Sequence, residues 1–209
     1  IHIYNETGEE NVTSTNFVVN TLTYTLGVVV NVLEGIKTWW YEVWDWAGNT
    51  FTTGNYTLTI DTTSPALSIT YPSNNTNTSN TQLNVNYTRS DTNLGSCWWT
   101  KNLGVTNTTL ASCTNITGVT WSEGINNVTI YVNDTVNNVN SSSVTFRLDT
   151  TAPIITLIGP ADGSEDTDGT VDFIYNATDD LIVSNCSLYL DNVFNQMSTS
   201  ITKNIAQTF

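Results

Sequence analysis

The sequence predicts an all-β chain, and three observations carry the prediction. Abundant Thr and Val with few charges favour strands over helices, and Asn, Thr and Ser make up 84 of the 209 residues. Hydrophobic residues reach 39% and aromatics 11%, more than a disordered polar tract carries. Apolar and polar residues alternate over short runs, with Leu83, Val85 and Tyr87 set against Asn84, Asn86 and Thr88. That period of two marks strands with one buried face.

A long internal repeat organises these strands. Asp61-Thr62-Thr63-Ser64-Pro65 recurs 88 residues later as Asp149-Thr150-Thr151-Ala152-Pro153. At the same shift Leu67, Ile69, Pro72, Leu83, Val85, Tyr87 and Asp91 fall on Ile155, Leu157, Pro160, Val171, Phe173, Tyr175 and Asp179. At a shift of 89 Cys97 falls on Cys186, and in the other direction Glu34-Gly35-Ile36, Val43, Asp45 and Asn49 match Glu123-Gly124-Ile125, Val132, Asp134 and Asn138. The expected copies are therefore 1–63, the C-terminal part of one domain; 64–151, a complete domain; and 152–209, the N-terminal part of a third.

Within the complete copy the pattern predicts strands at Ala66 to Tyr71, Gln82 to Arg89, Ser96 to Lys101, Thr108 to Ser112, Asn127 to Asn133 and Ser143 to Leu148. Pro65, Pro72, the Asn74 to Asn80 run, Gly104, Gly118, Gly124 and Asn137-Asn138 punctuate between them. Six or seven short strands in one such repeat is the rhythm of an immunoglobulin-like sandwich. The Asp-Thr-Thr-Ser/Ala-Pro linker, the late strand ending Val-x-Asp-x-x-x-Asn and the Asn/Thr-rich loops resemble tandem immunoglobulin-like domains of prokaryotic surface proteins. Asn/Thr-rich versions with many sequons are similar to archaeal surface proteins in particular. The resemblance implies tandem sandwiches in an extended array, at the cell surface.

Charge and composition narrow the function classes. Five Lys plus Arg against nineteen Asp plus Glu give a net charge of -14, which excludes a nucleic-acid partner needing a basic face. One His and three Cys leave little for acid–base chemistry or zinc. The carboxylate-dense Asp179-Asp180 and Asp162 to Asp168 come with no sign of a cleft, so no catalytic residue is expected. Leu26 to Val30, with Val32 and Leu33, is far too short an apolar run to span a membrane.

Candidate functional residues are of four kinds. Thirteen Asn-x-Ser/Thr sequons, at Asn5, Asn11, Asn55, Asn74, Asn77, Asn86, Asn107, Asn115, Asn127, Asn133, Asn140, Asn176 and Asn185, are N-glycosylation candidates against a background in which composition alone supplies about half of them. Cys97 and Cys113 are the only two cysteines of the complete copy, and a bridge between them would close a loop of about fifteen residues, worth roughly 3 kcal/mol; Cys186 lacks an evident partner. Trp40, Trp44 and Trp46 alternate away from Trp39, Tyr41 and Val43, making them candidates for subunit or ligand contact as well as for packing within the chain. Asp162, Asp166 and Asp168 collect oxygen ligands at alternating positions like a calcium loop, although Gly falls at the eighth position instead of the sixth and Phe173 stands where the bidentate Glu belongs. A solvated turn fits that loop equally well. A different calcium geometry would use Asp61, Asp149, Asp91 or Asp179, by analogy only. Beyond calcium no cofactor is expected.

The expected role is that of an extracellular structural protein, a building block of a cell-surface filament, stalk or coat. Its partners would be covalent N-glycans and neighbouring copies of itself, with strand donation as one way to complete half-domains; the incomplete copies fit a window cut from a longer array as well. An adhesin or carbohydrate-binding surface module is the alternative.

Overall fold

The computed structural model describes residues 2–5, 8–12, 29–102, 104 and 106–209, with backbone alone for 2–5 and 9–12. The Asn5 and Asn11 side chains and residues 26–28 of the apolar run lie outside that description. Apart from one three-residue 3-10 turn at Ala111–Cys113, all regular structure described is β, as the Thr- and Val-rich composition predicts. The chain divides into two compact units: Ile1–Pro65 with Asp91–Gly95 and Asn133–Asn140, and Ala66–Ser90 with Ser96–Val132 and Ser141–Phe209.

The first unit contains β1 (His2–Asn5), β2 (Gly8–Val12), β3 (Gly35–Trp40), β4 (Glu42–Trp44), β5 (Thr50–Thr52) and β6 (Tyr56–Ile60). Four of them form an antiparallel sheet in the order β2-β1-β3-β6, and β4 and β5 make a separate hairpin. Trp39 and Tyr56 stand opposite each other across β3 and β6 and stack with ring centroids 5.0 Å apart, the cross-strand aromatic pair that fixes register in such sheets.

From Ala66 onward β7 (Ala66–Tyr71), β8 (Thr76–Thr78), β9 (Asn86–Ser90), β10 (Leu94–Lys101), β11 (Thr108–Leu110), β12 (Gly124–Asp134) and β13 (Val139–Leu148) follow in chain order, in the second unit except for residues 94–95, 133–134 and 139–140. They make a five-stranded sheet, β11-β10-β12-β13-β8, and a two-stranded one, β7-β9. Between the two sheets lies the core of Leu83, Val85, Tyr87, Trp99, Ile116, Trp121, Val128, Ile130, Val144, Phe146 and Leu148, with Leu67 and Ile69 packed on its side. This is a β-sandwich: each inner face supplies every second residue. Trp121 joins the layers, its indole N–H donating to the Leu83 carbonyl (2.7 Å) while its ring meets Phe146 and Trp99 edge-on at 5.0 and 5.8 Å.

Several elements differ from the sequence expectation: the Thr108 to Ser112 strand ends at Leu110, where the 3-10 turn takes over, and β10, β12 and β13 begin before Ser96, Asn127 and Ser143. The Gln82 to Arg89 strand begins only at Asn86, because Val85 exchanges both backbone hydrogen bonds with Ile116 in an isolated bridge and Thr81 and Leu83 accept from Trp121. The inward alternation of Leu83, Val85 and Tyr87 survives nonetheless. Inside the Asn74 to Asn80 run, expected as punctuation, β8 pairs parallel with β13, Thr76 opposite Phe146.

The remainder of the second unit carries β14 (Ile154–Gly159), β15 (Ile174–Thr178), β16 (Cys186–Leu190), β17 (Val193–Ser198) and β18 (Ala206–Thr208), in sheets β14-β15-β18 and β16-β17. The repeat is visible here in the backbone: the β7–β9 register slips between Ile69 and Tyr71, and β14–β15 slips at the matching Leu157 and Gly159. Packing departs from it. Ile69 lies against the core of the complete sandwich, whereas Leu157 is 79% exposed and Ile155 is 52% exposed; the smaller cluster of Tyr175, Ala177, Val183 and Cys186 is covered by Ile201 and Phe209 instead.

Removing the ring that Trp121 packs against tests this account. Phe146→Ala should cost about 3–5 kcal/mol in the urea unfolding of the complete sandwich. Trp46→Ala, at a side chain 95% exposed, should change it by less than about 0.5 kcal/mol. Equal effects from the two would show that Trp121 and Phe146 are not the packing centre.

Candidate functional site: the repeated junction residues

Four of the recurring polar residues recur in geometry as well, each as a hydrogen-bonded clasp. At the end of β12 the Asp134 carboxylate accepts from the backbone N–H groups of Val136 and Asn138, both 2.9 Å, and from the Asn138 side-chain amide at 2.7 Å. In the β4–β5 turn Asp45 accepts from Ala47 and Asn49 backbones at 2.9 and 2.8 Å and from the Asn49 amide at 2.6 Å. The bond from the N–H two residues on makes an Asx turn, and the Asn amide four residues on reaches the other carboxylate oxygen.

The linkers are fastened in the same doubled way. Glu34 accepts from Thr62 through its backbone N–H (3.0 Å) and hydroxyl, and from the Thr63 hydroxyl at 2.8 Å. Glu123 accepts from the Thr150 backbone at 3.1 Å and its hydroxyl at 2.9 Å. Asp61 and Asp149 each accept from the N–H two residues on, at Thr63 and Thr151, both 3.1 Å. In the first unit three amides also hold residues 61–65: Asn93 donates to the Asp61 carboxylate (3.2 Å), Asn138 to the Asp61 carbonyl (2.9 Å) and Asn140 to the Pro65 carbonyl (2.9 Å).

These bonds set the electrostatics. The Asn49 side chain, then its backbone N–H, hold the Asp45 carboxyl below the usual carboxylate range, against the small upward pull of burial. Burial pulls Asp134 upward, but the Asn138 amide and the N–H groups of Asn138, Val136 and Asn137 outweigh it and leave the group depressed. The Thr62 and Thr63 hydroxyls lower Glu34. Hydrogen bonds to the charged form favour it.

Other predicted residues fall as follows. Cys97 and Cys113 form the expected disulfide, tying β10 to the 3-10 turn across a sequence separation of 16. Cys186 is free and buried. Trp46 is 95% exposed and Trp44 56%, together with Phe51 on the same β4–β5 hairpin, while Trp40 is half-buried in β3. Of the calcium-loop residues, Asp166 accepts from the backbones of Asp168 and Gly169, Asp168 accepts from Thr170, and Asp162 is exposed; two of the three carboxylates thus serve their own turns.

Sequence reasoning missed one convergence. Glu123, Asp149 and Asp180 each bring a carboxylate oxygen within 4.8 Å of the others. Carboxylates at this spacing suit a hard cation, but here both Glu123 oxygens already accept from Thr150 and two of the three residues are exposed. Only the spatial return of β13 toward residue 180, where Arg147 donates to the Asp180 carbonyl (3.3 Å), brings them together. No family model matches the sequence, and no curated protein matches it significantly.

Two outcomes test this site. Replacing both cysteines in Cys97→Ala/Cys113→Ala should lower unfolding stability by about 3 kcal/mol, and denaturant midpoints that do not move would deny the bridge a stabilising role. The depressed carboxyls give the acid limb its sign: their contribution is complete above the unfolded-state values of 3.8 for Asp and 4.5 for Glu and is lost as pH falls through the lower folded values. The melting midpoint should therefore be flat near neutrality and drop below about pH 4, and in Asp134→Asn it should start lower and drop less on acidification. A wild-type midpoint unchanged from pH 6 to 2 would contradict the assignment.

Proposed function

We propose that this chain is an extracellular structural protein, a building block of a cell-surface filament, stalk or coat made of repeated, glycosylated immunoglobulin-like domains bounded at 1–63, 64–151 and 152–209. The observation that carries the reading is the duplication of the clasps. Residues kept between copies, Glu34 with Glu123, Asp45 with Asp134, Asn49 with Asn138 and Asp61 with Asp149, all hold backbone in place. A repeat whose retained polar residues serve geometry is a building block, and the reading is accordingly non-enzymatic.

Three further features support it. A disulfide fits an oxidising exterior. Sequons in exposed loops fit glycosylation there. The exposed Ile155 and Leu157, whose counterparts Leu67 and Ile69 pack on a core, fit coverage by a further domain half, including one donated by a neighbouring copy. The alternative, an adhesin or carbohydrate-binding surface module, is favoured by one observation: Trp44, Trp46 and Phe51 are exposed together on the β4–β5 hairpin, and exposed indoles serve recognition as readily as assembly.

Gold-labelled antibody to this chain, imaged by electron microscopy on intact cells and on shed surface material, tests the reading. Label repeating at a regular interval along a filament or across a coat is the expected result. Label confined to the cell interior or to dispersed soluble protein overturns it. In Trp44→Ala/Trp46→Ala, loss of the polymer marks the hairpin as a subunit contact, whereas intact polymers that no longer adhere to cells or polysaccharide move the function to adhesion.

A further inference from the structure

Building on the extracellular reading, we infer that the sequons divide by strand position: sugars sit on Asn55, Asn77, Asn107 and Asn115, at the free edges of the sheets, where they block edge-to-edge pairing, and central-strand sequons stay bare. The strand order makes the division. Among the described residues β6, β8 and β11 are all edge strands, as is β9, whose sequon residue Asn86 is half-buried. Asn55 immediately precedes β6, Asn77 lies within β8, and Asn107 immediately precedes β11; all three are exposed, and so are the hydroxyl residues of their sequons, Thr57, Ser79 and Thr109.

Asn115 guards the remaining side of β9. Its side-chain oxygen accepts from the Tyr87 backbone N–H at 3.2 Å, next to the bridge between Val85 and Ile116. The amide oxygen thus occupies a ladder position while the residue as a whole, with Thr117, is exposed. Attachment forms a bond between Nδ2 and the anomeric carbon of a lipid phosphate-linked sugar donor. The bond from that carbon to the phosphate oxygen breaks, the lipid phosphate leaves and the amide releases one proton. The carbonyl oxygen takes no part, so the cap on Tyr87 and the sugar are compatible. Asn74, at the same edge as Asn77, differs, because the hydroxyl of its Thr76 already donates to the Ser73 carbonyl at 2.7 Å.

Central strands present the opposite arrangement. On β12, Asn127 is half-buried and donates through Nδ2 to the Thr145 hydroxyl (3.0 Å), and its sequon hydroxyl on Thr129 is buried against Ser143. Asn133, also on β12, donates through Nδ2 to Asn137, and Asn140 on β13 to the Pro65 carbonyl. Asn176 lies on β15, between β14 and β18, with its side-chain oxygen buried. A sugar on Asn127, Asn133 or Asn140 would compete with an amide hydrogen bond, the last of them one that holds Pro65, and a sugar on Asn176 would sit on a side chain whose oxygen is buried. Edges are where sheets need protection, since an unpaired row of N–H and C=O groups templates association, and five Lys and Arg in 209 residues leave few charges for that task.

The test is glycopeptide mass spectrometry on the protein recovered from the cells that make it, after chymotrypsin and Glu-specific digestion. Sugar mass is expected on Asn55, Asn77, Asn107 and Asn115, with unmodified Asn127, Asn133, Asn140 and Asn176. Sugar on a central-strand site, or bare edge sites, overturns the inference. Labelling intact cells with a membrane-impermeant amine reagent tells the two failures apart: bare sites on a labelled chain leave the surface reading standing, and bare sites on an unlabelled chain remove both. Asn77→Gln/Asn107→Gln made in the same cells should raise the pelletable fraction several-fold, and an unchanged fraction would overturn the guarding role.

Discussion

Satisfying the backbone with few ion pairs is the constraint on which the rest of this structure depends. A chain with 11% charged residues has few ion pairs to draw on. Its strand ends, turns and linkers still carry N–H and C=O groups that cost free energy when left unpaired. The recurring solution is that side chains of Asp, Asn and Thr, with Glu at the linkers, bond the main chain at breaks in the sheets. Asp134 and Asp45 close turns, Glu34 and Glu123 fasten linkers, Asn126 donates to the Ser122 and Gly124 carbonyls ahead of β12, and Asn115 stands in for a missing strand at β9. Abundant Asn and Thr are therefore structural in a direct sense, since each supplies an acceptor or donor one or two bonds from the backbone.

Apolar packing then gives the complete sandwich its thickness. β12 buries Val128, Ile130 and Val132, β13 buries Val144, Phe146 and Leu148, and Trp121 packs on Phe146 and Trp99 while its indole N–H donates to the Leu83 carbonyl ahead of β9. Asp134, at the end of β12, is itself nearly fully buried. Burial of a carboxylate is tolerable there only because three donors surround it.

How much of this was legible beforehand follows from where the information resides. β7 appears with the predicted bounds because Leu67 and Ile69 alternate cleanly between proline-bearing turns. The disulfide was legible because one copy holds only two cysteines. β8 was hidden, since Thr76 to Thr78 carry no apolar alternation and owe their strand geometry to parallel pairing with Phe146 to Leu148, a nonlocal fact. The clasps were half legible: the repeat marked Glu34, Asp45, Asp61 and their counterparts as kept, but Glu34 and Thr62 are 28 residues apart and only the fold joins them. The convergence of Glu123, Asp149 and Asp180 was invisible for the same reason. Conversely, the alternation that placed Ile155 and Leu157 in a core is intact, and what differs is the covering layer, which a strand's own sequence does not encode.

The disulfide has a mechanical meaning for a chain under tension. Cys97 and Cys113 enclose 16 residue steps, which as free polypeptide would lengthen by about 50–60 Å when pulled straight. With the two sulfurs joined, that length is withheld even if the sandwich opens, because the load passes from β10 through the bridge to the 3-10 turn and bypasses β11. The bond thus shortens the contour that an opening of this sandwich can release.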